Sequence, residues 1–358
     1  MRIGIIGAGQ LGQMLGFAAR EMGHECYFLD PSEAPPAAQA GPVVQAPFDD
    51  PVALSALAEK CDVLTYEFEN VPVEALAGVA GEVPVYPPLD ALRVAQDRLT
   101  EKQLFERLKI PLPSYHAIDS LDDLRTAANS IGLPLVLKTR RFGYDGKGQF
   151  VVKSPDQVDA AWRELGGKPL IAEEWVAFDY EVSAIGVRAI DGDIAAYCLS
   201  RNEHSGGILR TSRAPVDDRG LTAKAVGYLT RMLEDLDYVG VLALEMFVVG
   251  DNLLANEFAP RVHNSGHWTI EGAETSQFAN HILAVAGENP ASTANNGHAG
   301  MINLIGEIPN AARHLDAGVL HDYGKTARPG RKLGHITIVA DSADDRDSQV
   351  AEIVANVT

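Results

Sequence analysis

The residues best placed to do chemistry are two glutamates in apolar company. Glu245 lies in VGVLALEMFVV and Glu257 in LLANEFA, and Gly250, Asp251 and Asn252 between them are turn formers. Glu245 stands six residues before Asp251, and Glu257 six residues after it. A three-residue turn centred on Asp251 therefore sets the carboxylates directly opposite on neighbouring antiparallel strands. Like charges so placed destabilise a sheet, and apolar surroundings raise the cost. A divalent cation between them removes the conflict, and oxygen-only ligation suits Mg²⁺ bound with substrate phosphates. The alternatives are a one-residue register change that separates the faces, or pairing of each glutamate with Lys or Arg.

A second group lies around Lys138, which ends the strand-like LPLVLK ahead of GYDGKGQ, Gly143 to Gln149. Three glycines allow close backbone approach to a ligand, and Lys147 adds a cation within the loop. Such a loop can fold over phosphates; it lacks the P-loop order, and a plain hairpin tip is the alternative. IAEEWV, residues 171–176, is either an ordinary strand end or an adenine site. In the second case the backbone of Glu174, Trp175 and Val176 meets the base edge and Glu181 takes the ribose hydroxyls.

In APRVHNSGHW, Arg261 can grip an anion such as bicarbonate in bidentate fashion. His263 and His267 have the i, i+4 spacing of zinc ligands, but Pro260 and Ser265-Gly266 argue against the helix that would align them. YGKTARPGRKLGH carries Lys325, Arg328, Arg331 and Lys332, which form either a solvated basic loop or a phosphate clamp. GAGQLG, Gly7 to Gly12, matches the dinucleotide fingerprint, with Asp30 ending the next strand. A tight strand-to-helix turn and a substrate-phosphate site fit the same six residues.

These residues sit in a chain of 358, long enough for two or three domains, with 46% apolar residues. A net charge of −19 argues against a general nucleic-acid binder, which needs surplus cations, but leaves a nucleotide substrate possible. No apolar run is long enough for a membrane helix, and the N-terminus opens directly into a strand pattern, so a cytoplasmic protein is expected. Cys26, Cys61 and Cys198 are scattered, which suits buried inert thiols rather than a disulfide or zinc framework.

Strand patterns at residues 2–6, 26–29, 62–66 and 83–86 alternate with helix patterns at 11–22, 52–59 and 73–80, which predicts a parallel βαβ sheet. A helix is expected over 97–108, and IPLPSY reads as a linker. Beyond it, helices are expected at 121–130, 155–164, 221–236, 275–286 and 347–356. Strands are expected at 135–138, 149–153, 170–174, 301–306 and 335–340.

The set DRLTEKQLF, VLKTRRFGYDGKGQ, GILRTS, NEFAPRVHNSGHWT and RPGRKLGH resembles the N5-carboxyaminoimidazole ribonucleotide synthetase family of ATP-grasp enzymes, over almost the whole chain. The resemblance implies a fold of mixed α/β and α+β class, an ATP-grasp fold with an N-terminal Rossmann-like (pre-ATP-grasp) domain. The expected domains are 1–110, a small lid at 111–188, and 189–358 with the metal and substrate sites. It implies ATP-dependent carboxylation of 5-aminoimidazole ribonucleotide with bicarbonate, ATP and Mg²⁺ as cofactors, and a homodimer. Carried over by motif, Arg98, Lys138, the loop Gly143, Tyr144, Asp145, Gly146, Lys147, Gly148 and Gln149, then Glu173, Glu174, Trp175, Val176, Glu181, His204, Asn256 and Glu257 meet ATP. Glu245 and Glu257 hold the metal. Tyr144, Asp145, Lys147 and Arg261 serve the reaction, while Gln10, His263, Asn264, Lys325, Arg331 and Lys332 hold the ribonucleotide. Two positions depart from the pattern: Ala259 stands where many ATP-grasp enzymes carry an Asn metal ligand, for which Asn264 is a substitute, and Phe142 where a glycine is common. Other ATP-grasp carboxylate–amine ligases, an NAD-dependent oxidoreductase and a non-catalytic nucleotide sensor are the competing readings.

Overall fold

The computed structural model describes residues 1–143, 148–315 and 317–357. Three sheets organise it. The first contains β1 (Arg2–Ile6), β2 (Glu25–Asp30), β3 (Val43–Gln45) and β4 (Val63–Tyr66), in the parallel order β3-β2-β1-β4. Apolar runs such as RIGII, buried over its last four residues, suit strands covered on both faces. Helices α1 (Gln10–Glu21), α2 (Pro51–Lys60) and α3 (Val73–Val79) follow these strands. Asp50 caps α2 through the backbone N–H groups of Val52 and Ala53, with Pro51 at the first helical position. The expected strand at 83–86 makes only a single bridge, Leu64 to Val85. A helix not expected from sequence, α4 (Leu89–Ala95), follows it and leads into α5 (Arg98–Arg107).

The second sheet has the antiparallel order β5-β8-β6-β7, from β5 (Tyr115–Ile118), β6 (Leu135–Thr139), β7 (Gln149–Val152) and β8 (Leu170–Glu174). Helices α6 (Leu121–Ser130) and α7 (Val158–Leu165) cover one face; Ser120 and Asp123 form a capping box on α6.

The third sheet is antiparallel and nine-stranded. It comprises β9 (Tyr180–Arg188), β10 (Ile194–Ala196), β11 (Ser200–Ser205), β12 (Ile208–Ala214), β13 (Gly240–Val249), β14 (Asn252–Ala259), β15 (His298–Ile305), β16 (Val319–Asp322) and β17 (Lys332–Ala340). Helices α8 (Arg219–Asp235), α9 (Thr269–Gly272), α10 (Gln277–Val285) and α11 (Ala343–Val357) pack on it. Because β9 pairs with β11 and β13, the chain changes sheet after Glu174, ahead of the expected lid boundary at 188.

Helix α5 packs between α4 and β14, and it is unusual in burying Glu101 and Lys102 beside Leu104 and Phe105. Its N-cap is Asp97, whose carboxylate also takes a bidentate pair from Arg140, at 2.8 and 2.6 Å, just beyond β6. The Glu101 carboxylate accepts the Phe258 backbone N–H at 2.8 Å, and Lys102 donates to the Asn256 carbonyl. Buried ionic groups persist only when paired in this way. Exchange of Lys102 for Met keeps the volume but removes that donor. It should cost about 2–4 kcal/mol of stability, read as a lower urea midpoint. A midpoint equal to that of the unaltered protein contradicts the clamp.

Candidate active site

Glu245 and Glu257 do face each other across β13 and β14. The route differs from the one expected. Val249 pairs with Asn252, so the turn holds two residues, with Gly250 at φ 56. That register alone would set Glu245 opposite Asn256. A bulge on β14 at Asn256 shifts the pairing by one and restores Glu257 as the partner. The clamp from α5 grips this bulge: Lys102 holds the Asn256 carbonyl, Glu101 the Phe258 N–H, and Arg98 donates to Glu257 Oε2 at 2.9 Å.

Glu245 is paired separately, by His263 Nε2 at 3.0 Å. The His263 Nδ1 accepts the Ser265 backbone N–H at 3.3 Å, which leaves the proton of a neutral ring on Nε2, facing Glu245. Burial pushes the Glu245 carboxyl up, but His263, His204 and Lys332 together hold it well below the usual carboxylate range. The two acids thus have different partners, and both line the cavities on either side of them.

The larger cavity, about 1080 Å³, lies between the second and third sheets. Its walls bring together Arg98, Lys138, Gln149, Glu173, Glu174, Trp175, Val176, Glu181, His204, Asn256 and both opposed glutamates. Lys138 donates to Glu173 at 2.8 Å, with Lys102 at 3.6 Å from the same carboxylate oxygen. Burial alone would raise the Glu173 carboxyl; Lys102, Lys138 and Arg98 bring it down to about 2. Burial also lowers Lys138, opposed by Glu173. Glu181 and His204 share a hydrogen bond of 2.6 Å, and this partner with Glu245 raises the histidine against the effect of burial.

Phe178 and Phe247 stack at 4.8 Å on this wall, a pair that sequence reasoning missed. Phe247 stands two residues beyond Glu245 on β13, so strand alternation was a signal for it. Gly143 and Gly148 bracket the glycine loop, while Tyr144, Asp145, Gly146 and Lys147 lie outside the described residues. Phe142, where a glycine was expected, has φ 62, the left-handed region that glycine favours.

The smaller cavity, about 280 Å³, shares Arg98, His204, Glu245 and Glu257 with the first and adds Gln10, Gly143, Arg261, His263, Asn264 and Lys332. Arg261 pairs with Glu69, a partner invisible in the sequence, and donates to the Val262 carbonyl at 2.8 Å. Its Nε is buried without a partner. Asn264 and Asn303 exchange amide hydrogen bonds of 3.1 and 2.7 Å, so this amide braces the wall. Lys325 and Arg331 do not line this cavity. Lys325 nonetheless donates to Gln10 Oε1, and burial with Arg331, Lys332 and Arg328 nearby brings its ammonium down to about 8. The zinc arrangement does not form. His263 faces Glu245, whereas His267 is buried beside Gln277 and His335, and no group of three metal-binding side chains occurs among the described residues.

GAGQLG is not a dinucleotide site. The Gly7 N–H is bound to the Leu29 carbonyl at 2.9 Å, and the Ala8 N–H to Asp30 Oδ2 at 2.9 Å. Glu67 takes two more, accepting Gly9 N–H on Oε1 and Gly12 N–H on Oε2, the latter at 2.5 Å. These four amides and Asp30, whose second oxygen takes the Ser32 N–H, are committed within the chain and are not available to a dinucleotide.

A small sheet and a large antiparallel sheet on either side of a cleft that holds Arg98 and Lys138, together with a parallel α/β unit, define an ATP-grasp enzyme. Family models agree: the ATP-grasp domain matches residues 103–278 and the ribonucleotide synthetase preATP-grasp domain residues 1–96. The phosphoribosylaminoimidazole carboxylase C-terminal domain matches residues 299–349. The chain belongs to the N5-carboxyaminoimidazole ribonucleotide synthase family. It is 48% identical to the Pseudomonas aeruginosa protein of that name over 99% of both chains. The Thermus thermophilus synthetase structure superposes with a TM-score of 0.95 at 49% identity, over 99% of this chain and 98% of the other. The Aspergillus clavatus synthase, solved with ADP and 5-aminoimidazole ribonucleotide, has a TM-score of 0.92 at 29% identity, over 99% and 98%.

Proposed function

We propose that this protein uses ATP and bicarbonate to carboxylate 5-aminoimidazole ribonucleotide on its exocyclic amine, releasing ADP and phosphate, as a step of purine synthesis. The carrying observation is that two cavities meet at Glu245 and Glu257. One suits a nucleotide and the other a smaller phosphorylated acceptor. Family membership supports a cytoplasmic homodimer.

Two facing carboxylates with oxygen-only character fit Mg²⁺ carried in with nucleotide phosphates, so Glu245 and Glu257 are its assigned ligands. When bound, Mg²⁺ offsets charge on the transferring phosphoryl group. Ala259 has no side-chain oxygen and Asn264 is paired with Asn303, so of these residues Glu245 and Glu257 would hold the ion. Arg98 and Lys138 neutralise phosphates; the 173–176 segment and Glu181 hold adenosine, with His204 bracing Glu181. The assignment of Gly143 to Gln149 to the phosphates, and of Tyr144, Asp145 and Lys147 to the reacting groups, rests on the motif.

A bicarbonate oxygen, held by Arg261, attacks the γ-phosphorus as ADP leaves, giving carboxyphosphate. The acceptor amine then attacks its carbon, or CO₂ derived from it; phosphate departs and nitrogen loses a proton. Enclosure from water protects the intermediate. Gln10, His263 and Lys332, which line the smaller cavity, orient the ribonucleotide, with Lys325 acting through Gln10; the assignment of Arg331 rests on the motif.

Phosphate release from ATP with bicarbonate should depend on 5-aminoimidazole ribonucleotide and match its carboxylation. Turnover driven by another phosphorylated amine instead points to a different carboxylate–amine ligase. Lys325, charged below about pH 8, should make kcat/KM for the ribonucleotide fall as pH rises through 8. Lys325→Arg stays charged and should lose that limb. An unchanged limb in the variant excludes Lys325 as its source.

A further inference from the structure

Four N–H groups of the dinucleotide-like motif have partners within the chain, and its geometry is tightly specified. Each glycine of GAGQLG faces the same side chain. A Cβ on Gly7 would stand 2.4 Å from Glu67 Cγ, one on Gly9 2.7 Å from Oε1, and one on Gly12 3.3 Å from Oε2. Gly7 also has φ 98. The absence of side chains at these positions admits a carboxylate supplied by the segment after β4. Both its oxygens accept N–H groups, which favour the ionised form against the burial that raises this carboxyl. Helix α1 has no side-chain cap from its own N-cap residue, Gly9, so Glu67 caps it across the fold.

The first residue of α1 is Gln10, which lines the smaller cavity and accepts from Lys325. Glu67 does not line that cavity, and it attracts Lys325 electrostatically. We infer that Glu67 is a built-in anion occupying the place a phosphate takes in nucleotide-binding loops, and that it is a positioning residue for the acceptor pocket, acting through Gln10 and Lys325. The pocket's identity rests on the function proposed above; the anion replacement does not. Removing the carboxylate should expose two loop N–H groups and a helix N-terminus to small anions.

The test uses the full-length protein carrying Glu67→Ala, with formate as probe and chloride as control. Formate should raise the Tm of the variant and leave that of the unaltered protein unchanged. At saturating bicarbonate, the variant's KM for the ribonucleotide should rise at least about tenfold, as expected for a misplaced binding group. Its KM for ATP should stay the same, and formate should restore part of the loss. Absence of a formate-dependent Tm shift, or an unchanged ribonucleotide KM, overturns the inference. If Glu67→Ala does not fold, Glu67→Asp decides. One methylene shorter, it cannot reach both N–H groups, so its ribonucleotide KM should rise several-fold; a KM equal to that of the unaltered protein overturns the inference. Should the unaltered protein not turn over the ribonucleotide at all, the proposed function fails while the formate response still reports on the loop.

Discussion

Two acidic side chains opposed on one sheet face are the constraint around which this molecule is arranged. In water they would repel weakly; beside apolar strands they are costly unless each is compensated. Here Glu245 is held by His263 and Glu257 by Arg98. Neither partner comes from the hairpin itself. Arg98 belongs to α5, the helix whose Glu101 and Lys102 also grip the backbone on both sides of Glu257. The bulge at Asn256 is therefore a built feature, supported by charged groups that only pairing makes tolerable in a buried place.

That arrangement also explains how the two cavities communicate. The glutamates and Arg98 line both of them, so the same three side chains border the two spaces. Phosphoryl transfer depends on alignment and charge compensation more than on covalent chemistry by the protein. The cations come from two directions, Arg98 from α5 and Lys138 from the small sheet, while the third sheet carries the two acids.

Much of this was legible in the sequence where it depended on local spacing. The parallel first unit, the capped helices and the Lys138 strand follow from periodicity and turn residues. The glutamate pairing was reached from the right residues by a turn one residue too long, and the bulge cancelled the difference. Contacts between distant segments were not legible. Nothing near Gly7–Gly12 announces that Glu67 fills the loop, nothing near Arg261 points to Glu69, and Lys102 in RLTEKQLF looks like an exposed helical lysine. Likewise, β9 reads as a continuation of the lid until its pairing with β13 is seen. Pattern reasoning finds which residues share a face of one element, but not which charge from elsewhere completes it.

The central claim is that Glu245 and Glu257 form one cation site with a bound nucleotide. Electron paramagnetic resonance of Mn²⁺ titrated into the protein with ADP tests it most directly. Mn²⁺–ADP should bind the unaltered protein, and Glu257→Gln should weaken the metal at least about tenfold, as loss of a carboxylate ligand requires. Circular dichroism should show the fold retained. Equal Mn²⁺ affinity in the folded variant would contradict the account.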